Sequence, residues 1–389
     1  MKEWKKVKLK DITISITDGK HGDCKGQDNS GYYFISCKDV SDGTIHYENA
    51  RQITKEDFIE TDKRTNLATN DILITNSGTI GRMAFVKDIP ETRKTTFQKS
   101  VAIVKPNTDK VLPIYLYYLL QSKVSEFVNS SNGAAQKNLL LSTMREFELS
   151  IEESFSIQQR IATILSRYDS LIENYQKQIK LLEESAQRLY KEWFIDLRFP
   201  GHENTKIVDG VPNGWEKKTL DSFCNVFTGK KNANQGVSNG KYKFFTCGDT
   251  PLLINSYIYD GPAIIISGNG SYTGRTTFYK GKFDLYQRTY ACTMKDMLDE
   301  NLIYGLFEIV KCELTNKISG GTHGAAIPYI VMSDVTKFDF LYEENIMQRF
   351  SSIMHNILSE SLSLLNQIRH LTEARDRLLP KLMSGEIEL

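Results

Sequence analysis

The sequence predicts an α+β (mixed α/β) protein in which two globular domains are separated by two long antiparallel coiled-coil helices. Three observations lead to this fold class. Two long segments carry apolar residues at helical spacing, short β-rich segments lie between turn signals, and an internal repeat contains both features twice. A tandem duplication of this kind also predicts an approximate two-fold axis relating the two halves.

The first long segment covers residues 156–194 and contains no Gly or Pro. A helix of about 40 residues is about 60 Å long, and its remaining faces are polar, so another helix is expected to cover its apolar seam. The pattern alone is also compatible with a dimerisation stalk. The seam residues assigned to the interface are Ile161, Ile164, Tyr168, Leu171, Tyr175 and Leu182.

The second long segment, 345–383, repeats this seam and is the expected partner of the first. Each long helix follows one of the two globular domains, which we call heads. For the two helices to pack against each other along their length, the second helix must run back towards the first head. The interface residues assigned to this helix are Ile353, Ile357, Leu364, Ile368, Leu371 and Leu378.

The repeat keeps its order along the chain while its offset drifts, as expected of a diverged duplication with insertions in loops. The matches are Trp4 with Trp215, FISCKD (34–39) with FFTCGD (244–249), SGTIGRMAF (77–85) with SGNGSYTGRTTF (267–278), and Phe97-Gln98-Lys99 with Tyr286-Gln287-Arg288. The glycine-rich match implies three extra residues in the second copy. The predicted segments are 1–150 (head), 151–198 (helix), 199–342 (linker and head) and 343–389 (helix).

Each head combines short strands with one helical segment. The predicted strands are 71–75 and 100–104 in the first head and 263–267 in the second, and the helical segments are 113–128 and 300–314.

Composition excludes several classes of protein. Among 389 residues the formal net charge is +1, so no global field favours nucleic acid, although a local basic patch is compatible with it. We find no apolar run of about 18 residues and no signal peptide, and therefore expect no membrane partner and a cytoplasmic location. None of the six cysteines forms a CxxC pair, and we predict no metal site.

Enzyme signatures are absent from the sequence. It has no phosphate-binding P-loop, no GxGxxG between a strand and a helix, no HExxH and no GxSxG, so we predict no catalytic residues. Cys37 and Cys247 occupy the same repeat position and allow a redox or metal site. Because each is expected to lie in an apolar strand, we interpret them as small core residues.

Three pairs of loops carry the candidate binding residues. The glycine loops end in Arg82 and Arg275, which suit clamping a phosphate or contacting a guanine edge; the alternative is a tight turn with a structural ion pair. An earlier loop offers Lys20 and His21 in one head and Lys230 and Lys231 in the other, and its alternative is a solvated turn. The third pair, at 132–138 and 319–326, contributes Lys137 and His323.

With this architecture in place, the chain resembles the specificity (S, HsdS) subunit of type I restriction-modification systems over essentially its whole length. The resemblance rests on the junctions of head and helix, on Gln158-Gln159-Arg160-Ile161 with Asp169-x-x-Ile172, on Gln348, and on the closing phrase ARDRLLPKLMSGEIEL (374–389). Both junctions lack the family's prolines, and the second copy lacks the Asp.

The resemblance implies that each head is a target recognition domain for one half of a bipartite, asymmetric double-stranded DNA site. The helices would space the heads and dock two modification (M) subunits, with restriction (R) subunits joining the full complex and both methylation and restriction being directed by this chain. S-adenosylmethionine, ATP and Mg²⁺ would then belong to the partners, and this non-catalytic chain would hold no cofactor. Two alternatives stay open: an S-type subunit of a related system whose partner fuses M and R, and a structural coiled-coil adaptor that binds proteins.

Overall fold

The computed structural model describes residues 4–131, 138–319 and 329–389, with the backbone alone for residues 318 and 319. Contacts divide the chain into two compact units. Unit 1 comprises Met1–Glu173 together with Ile368–Leu389, and unit 2 comprises Asn174–Gln367. Unit 1 is therefore discontinuous in sequence, and unit 2 is the single segment between its two parts. Both long helices contribute residues to both units. The four predicted segments of the chain stay a prediction.

Unit 1 contains strands in four small sheets. The strands are β1 (Lys5–Lys8), β2 (Thr13–Asp18), β3 (Tyr33–Ile35), β4 (Val40–Ser41), β5 (Thr44–Ile45), β6 (Ile72–Thr75), β7 (Met83–Phe85), β8 (Thr95–Phe97), β9 (Val101–Pro106) and β10 (Glu148–Ile151). The largest sheet has the order β2-β9-β6-β7 and is antiparallel, and β3 pairs with β8 in parallel. β6 and β9 are almost completely buried, as continuous apolar runs of this kind predict.

The helices of unit 1 pack on this sheet and close its core. They are α1 (Lys55–Thr65), α2 (Pro113–Ser122), α3 (Val124–Asn129), α4 (Leu141–Glu146) and the first part of α5 (Phe155–Tyr190). The single helical segment predicted over 113–128 is wrong in one respect, because the chain breaks at Lys123 (φ −104°, ψ 7°) and continues as α3. Tyr115 and Tyr118 of α2 are buried in the same core as Leu165 of α5.

Unit 2 repeats this plan around one larger sheet. Its strands are β11 (Ile207–Val208), β12 (Val211–Pro212), β13 (Glu216–Thr219), β14 (Cys224–Thr228), β15 (Tyr242–Phe245), β16 (Leu252–Ile254), β17 (Tyr259–Ser267), β18 (Thr276–Leu285), β19 (Thr289–Met294) and β20 (Asp339–Tyr342). Its helices are α6 (Leu220–Phe223), α7 (Leu302–Ser319), α8 (Met332–Thr336) and the first part of α9 (Glu344–Met383).

The sheet orders show the duplication directly. The six-stranded sheet runs β14-β19-β17-β18-β15-β16, and its first four strands correspond to β2-β9-β6-β7. β18 is one continuous strand that also pairs in parallel with β15. In unit 1 the same path is interrupted between β7 and β8, so the parallel pair β3-β8 forms a separate sheet. The predicted α+β fold with two duplicated domains is confirmed.

The two long helices pack antiparallel within each unit. In unit 1, Ile161 and Leu165 of α5 share a core with Leu379 and Leu382 of α9, while Asp169 contacts the earlier residue Arg375. In unit 2, Phe194, just after α5, contacts Phe350, near the beginning of α9, with ring centroids 5.0 Å apart. Ala186 and Leu358 there line one small cavity, so the order is again reversed.

The predicted seam describes the burial of these helices only in part. Ile161 and Leu364 are buried, but Leu171 and Ile353 are 42% and 37% exposed and do not belong to the buried seam. The remaining assigned positions are half-buried: Ile164, Tyr168, Tyr175, Leu182, Ile357, Ile368, Leu371 and Leu378. The helix period of 3.6 residues drifts against a strict heptad, and the helix ends also face the cores of the heads, so further buried positions arise. These include Ala162, Leu165, Ala186, Met354 and Leu379.

In the described part of the chain, every helix is either too short or too polar to cross a lipid bilayer.

Candidate nucleic-acid interface

In unit 1, two of the predicted loops are hydrogen-bonded to the turn between β8 and β9. The backbone N–H of Lys20 donates to the carbonyl of Phe97 (2.8 Å), and the N–H of Lys99 donates to the carbonyl of Lys20 (3.2 Å). The N–H of Asn76, at the start of the glycine loop, donates to the carbonyl of Ser100 (3.0 Å). We call residues 18–21, 76–82 and 98–100 the loop face of unit 1.

Unit 2 has the same hydrogen-bonded frame. The N–H of Gln287 donates to the carbonyl of Lys231 (3.0 Å), and the N–H of Gly268 donates to the carbonyl of Arg288 (2.9 Å). Residues 229–232, 268–275 and 286–288 therefore form the loop face of unit 2. These hydrogen bonds identify equivalent residues: Lys231 corresponds to Lys20, Gln287 to Lys99 and Arg288 to Ser100. In the turn, this differs by one position from the sequence alignment, which matched Lys99 with Arg288.

The two glycine loops also correspond, and they place Arg82 and Arg275 at equivalent positions. The N–H groups of Thr75 and Ser267 donate to the carbonyls of Arg82 (2.8 Å) and Arg275 (3.0 Å), respectively. These partners are seven positions apart in unit 1 and eight in unit 2. The predicted insertion of three residues is therefore wrong, and the structure has one extra residue.

Glycine is required within these loops because the chain turns through the left-handed region. Gly78 and Gly81 have φ of +77° and +89°, and their counterparts Gly270 and Gly274 both have φ of +82°. The turns return the chain to the sheet, so that each arginine stands at the start of a strand that is anchored in the core.

The cations of the loop face in unit 1 differ in their partners. Lys20 Nζ lies 3.6 Å from a Glu60 carboxylate oxygen, and His21 Nε2 lies 3.4 Å from the carboxylate of Asp18. Arg82 is exposed, and its guanidinium forms no ion pair with any residue in the described ranges. Among the predicted residues of this unit that the structure describes, Arg82 is thus the one whose charge is most available to a ligand.

Unit 2 has a similar division. Lys231 Nζ lies 3.2 Å from Asp284, whose side chain is 5% exposed, so this lysine neutralises a buried carboxylate. Lys230 is exposed, and within the described ranges it has no ion pair. Arg275 donates from Nη1 to Asp249 Oδ1 (2.6 Å), and its guanidinium carbon is 5.3 Å from the centre of the Tyr272 ring. An ion-pair alternative was open for both arginines; between described residues it is observed for Arg275 and not for Arg82.

With this geometry established, comparison with known proteins identifies the family. The model of the type I restriction modification DNA specificity domain matches residues 1–184 and 212–353. The chain belongs to this family. The MjaIX type I restriction enzyme specificity subunit of Methanocaldococcus jannaschii is 30% identical over 100% of this chain and 94% of that protein.

Two further comparisons are narrower. The EcoDI specificity subunit of Escherichia coli is 30% identical over 46% of this chain and 39% of that protein. The crystal structure of the type I restriction-modification S subunit from M. genitalium covers 97% of this chain and 96% of that one, with a TM-score of 0.61 and 15% identity. This structural likeness shows that the specificity-subunit fold is shared.

The motif residues that carried the family resemblance hold the specificity subunit together. Gln158 is fully buried, accepts from the N–H of Leu112 (2.8 Å) and donates to the carbonyl of Glu152 (2.6 Å), so it ties the first turn of α5 to the head. Asp169 accepts from Tyr118 and from Arg375, both at 2.6 Å. Both motif positions are therefore structural within unit 1.

Two cations on the loop faces were not among the predicted site residues of this specificity subunit. Lys99 and Arg288 are exposed in the turns that connect the loops of each face. Both are the basic residue in a repeated sequence of an aromatic residue, Gln and a basic residue, at 97–99 and 286–288. Each belongs to a segment that bonds to the other two loops, so position in the fold, rather than residue type, distinguishes them from other surface cations.

The interpretation of Cys37 and Cys247 as core residues is wrong. Each is half-buried at a loop face, because its strand ends before it. The Sγ–H of Cys247 donates to the carbonyl of Arg288 (3.2 Å), and the N–H of Cys37 donates to Ser100 Oγ (3.2 Å). Among the described residues, no group of three or more His, Cys, Asp or Glu side chains could hold a metal ion.

Lys137 and His323 lie outside the described residues. Asn138, which follows Lys137, forms a bridge with Ser77, and Tyr329, further along the chain than His323, forms a bridge with Asn269.

Proposed function

We propose that each compact unit recognises one half of a bipartite, asymmetric DNA site through its loop face. One observation carries the proposal: the two units hold equivalent loops with the same backbone hydrogen bonds, yet present different side chains from that frame. His21 is matched by Asn232, Lys99 by Gln287 and Ser100 by Arg288. A shared frame with different donors and acceptors suits two readers of the same polymer that recognise different sequences.

The exposed cations support contact with a polyanion. Arg82 and Lys99 in unit 1, and Lys230 and Arg288 in unit 2, are exposed on the loop faces. Contacts of such groups with phosphates supply affinity that falls as salt rises, because bound counterions are released. Because the net charge of the whole chain is only +1, this attraction has to come from local groups such as these cations rather than from the field of the whole protein.

The helices complete the proposal. We assign α5 and α9 the docking of two modification subunits, with restriction subunits joining the full complex. The exposed apolar residues on these helices, which include Leu171, Leu181, Ile353 and Leu365, suit such contacts. The chain would work in the cytoplasm as a non-catalytic subunit and hold no cofactor, with S-adenosylmethionine, ATP and Mg²⁺ bound by its partners.

Selection from randomised duplex DNA tests the proposal. The chain is mixed with its modification subunits, and bound duplexes are sequenced after several rounds at two salt concentrations. We expect a two-part sequence with a fixed gap, and affinity that falls as salt rises. Recovery of unenriched DNA by an intact complex contradicts recognition, and an assembly that binds only proteins favours the coiled-coil adaptor.

A further inference from the structure

The ion pair between Arg275 and Asp249 lies at a cavity that adjoins the loop face of unit 2. The cavity has a volume of about 210 Å³, and its lining includes both residues of the pair, a further cation, Lys243, and the aromatic residues Phe245 and Tyr279. The Arg275 and Asp249 side chains are 39% and 67% exposed, so both remain accessible to a ligand. An accessible cation and anion side by side, next to aromatic walls, distinguish this place from a phosphate site, which needs cations alone.

Two contacts orient the guanidinium of Arg275. Its Nη1 donates to Asp249 Oδ1, and its carbon lies 5.3 Å from the centre of the Tyr272 ring. The backbone N–H of Arg275 donates to the carbonyl of Tyr272 (2.9 Å), which fixes the main chain at this turn. A guanidinium has five N–H donors in a planar fork, so one bond to Asp249 leaves donors for another partner. The ion pair thus orients the guanidinium and leaves some of its N–H groups available for another partner.

Unit 1 does not have this arrangement, although its sequence contains the same residue types. Asp39 is the repeat counterpart of Asp249, but it is 7% exposed and accepts from the N–H (2.9 Å) and the hydroxyl (2.7 Å) of Ser36. Arg82 therefore has no carboxylate beside it among the described residues. The acid is available to a ligand in unit 2 alone.

We propose that Arg275 and Asp249 together recognise one G·C base pair in the half-site of unit 2. Guanine presents two adjacent acceptors, O6 and N7, in the major groove, and these match two N–H groups of an arginine fork. The cytosine of the same pair presents its N4 amino group next to O6, and a carboxylate beside the arginine accepts from it. Adenine has a donor where guanine has O6, so an A·T pair opposes the arginine fork.

This inference rests on the proposed function. It predicts opposite changes in DNA affinity when Arg275 and Asp249 are replaced. Removing Arg275 removes a cation and the fork, so both specificity and affinity fall. Removing Asp249 eliminates a negative charge close to DNA, so affinity for arbitrary duplexes rises. Preference for G·C at that position nevertheless falls, since the acceptor for the cytosine amino group is lost. A purely structural ion pair does not separate affinity from specificity in this way.

The test repeats the selection from randomised duplexes with the intact complex carrying Arg275→Ala, Arg275→Lys, Asp249→Ala or Asp249→Asn. For Arg275→Ala we expect the G·C preference at one position to fall by about 5- to 140-fold, since a bidentate pair contributes roughly 1–3 kcal/mol of discrimination. Arg275→Lys should keep most of the affinity, because the charge remains. The Asp249 variants should lose part of the preference and bind random duplexes more tightly.

The half-site of unit 1 is the internal control for folding and assembly. A variant that still selects the unit 1 sequence is folded and assembled, so its loss at one position of the other half-site is specific. If the wild-type complex selects a two-part sequence and Arg275→Ala leaves the base preference at every position unchanged, the inference is overturned while the proposed function stands. If the wild-type complex selects no sequence, the proposed function itself fails.

Discussion

Asp169 of α5 and Arg375 of α9 form an ion pair of 2.6 Å in unit 1, although 206 residues separate them in the sequence. The other carboxylate oxygen of Asp169 accepts from the Tyr118 hydroxyl of α2, also at 2.6 Å. Burial and the neighbouring carboxylate raise the pKa of Tyr118 well above its usual range, so the phenol remains a donor. One carboxylate thus joins the head to both long helices.

Unit 2 replaces this polar contact with apolar residues. Gln159 and Arg160 align with Gln348 and Arg349, and the same alignment matches Asp169 with Leu358 and Arg375 with Ala186. Leu358 and Ala186 line a cavity of about 70 Å³. The two units therefore attach their helices by different chemistry, although their folds correspond.

Asp169→Ala should destabilise unit 1 by about 1–3 kcal/mol, because two hydrogen bonds to a charged acceptor are lost and the half-buried Arg375 keeps only its pair with the exposed Asp376 among the described carboxylates. Hydrogen-exchange mass spectrometry during urea unfolding measures this, since it distinguishes peptides of the two units. Glu153→Ala is the matched control. It breaks the exposed Lys5–Glu153 pair and should cost less than about 1 kcal/mol. Equal effects of the two variants would assign Asp169 to an ordinary surface pair.

Glu308→Gln should stabilise unit 2 at neutral pH. The Glu308 side chain is almost completely buried, and burial raises the pKa of its carboxyl; Lys311 lies 4.0 Å away and offsets this only in part. Because the folded pKa exceeds the unfolded value, the native state binds more protons, and stability falls as pH rises from the unfolded pKa through the folded one. The gain from Gln should therefore be larger at pH 8 than at pH 4.

Urea unfolding of unit 2 at these two pH values measures the effect, and the exposed Glu360→Gln in α9 is the control. Destabilisation by Glu308→Gln at pH 8 would show that the charged form of Glu308 contributes favourably to packing.

Arg82→Ala should alter one half-site and leave the other intact, because Arg82 belongs to the loop face of unit 1 alone. If the guanidinium contacts a phosphate, the slope of affinity against salt should also fall by about one. Arg93→Ala removes the same charge from an 81% exposed side chain at the opposite end of β7 and β8, and should leave both half-sites unchanged. Selection from randomised duplexes, with affinities at several salt concentrations, provides both measurements.

The recognised DNA should protect Cys37 and Cys247 from iodoacetamide. Both thiols are half-buried at the loop faces, whereas burial raises the pKa of Cys224 to about 12 and that of Cys292 well above its usual range. The buried thiols should therefore stay unlabelled in the native protein. Mass spectrometry after a short labelling pulse follows each cysteine. Labelling of Cys37 and Cys247 that is unchanged by a duplex carrying both half-sites would remove the loop faces from the interface.

The duplication and the long helices could be predicted because both depend on features that the sequence displays directly. Repeated words and apolar spacing require no knowledge of packing. The exact burial of the helices did not follow, since Leu165 and Leu379 face the core of a head as well as another helix. A seam derived from spacing alone considers only contacts between helices. It therefore included Leu171 and Ile353, which the structure shows to be exposed.

The candidate site shows where sequence similarity stops being informative. Asp39 and Asp249 occupy the same position in a repeated sequence, yet Asp39 is buried and the Asp249 side chain is exposed. Ser36 supplies both donors that hold Asp39, whereas its counterpart Thr246 accepts from the N–H of Gly248 (3.2 Å). Whether the aspartate is buried or exposed depends on these local hydrogen bonds, which residue spacing and composition do not reveal.

The discontinuity of unit 1 has a consequence for biosynthesis. Leu379, Leu382 and Met383 belong to the core of the first head, but the ribosome makes them after the whole of unit 2. Unit 2 is one continuous stretch and can begin to fold as soon as residue 367 emerges. Part of the core of the first head stays uncovered until these last residues are made, so we expect the first head to complete its folding after unit 2.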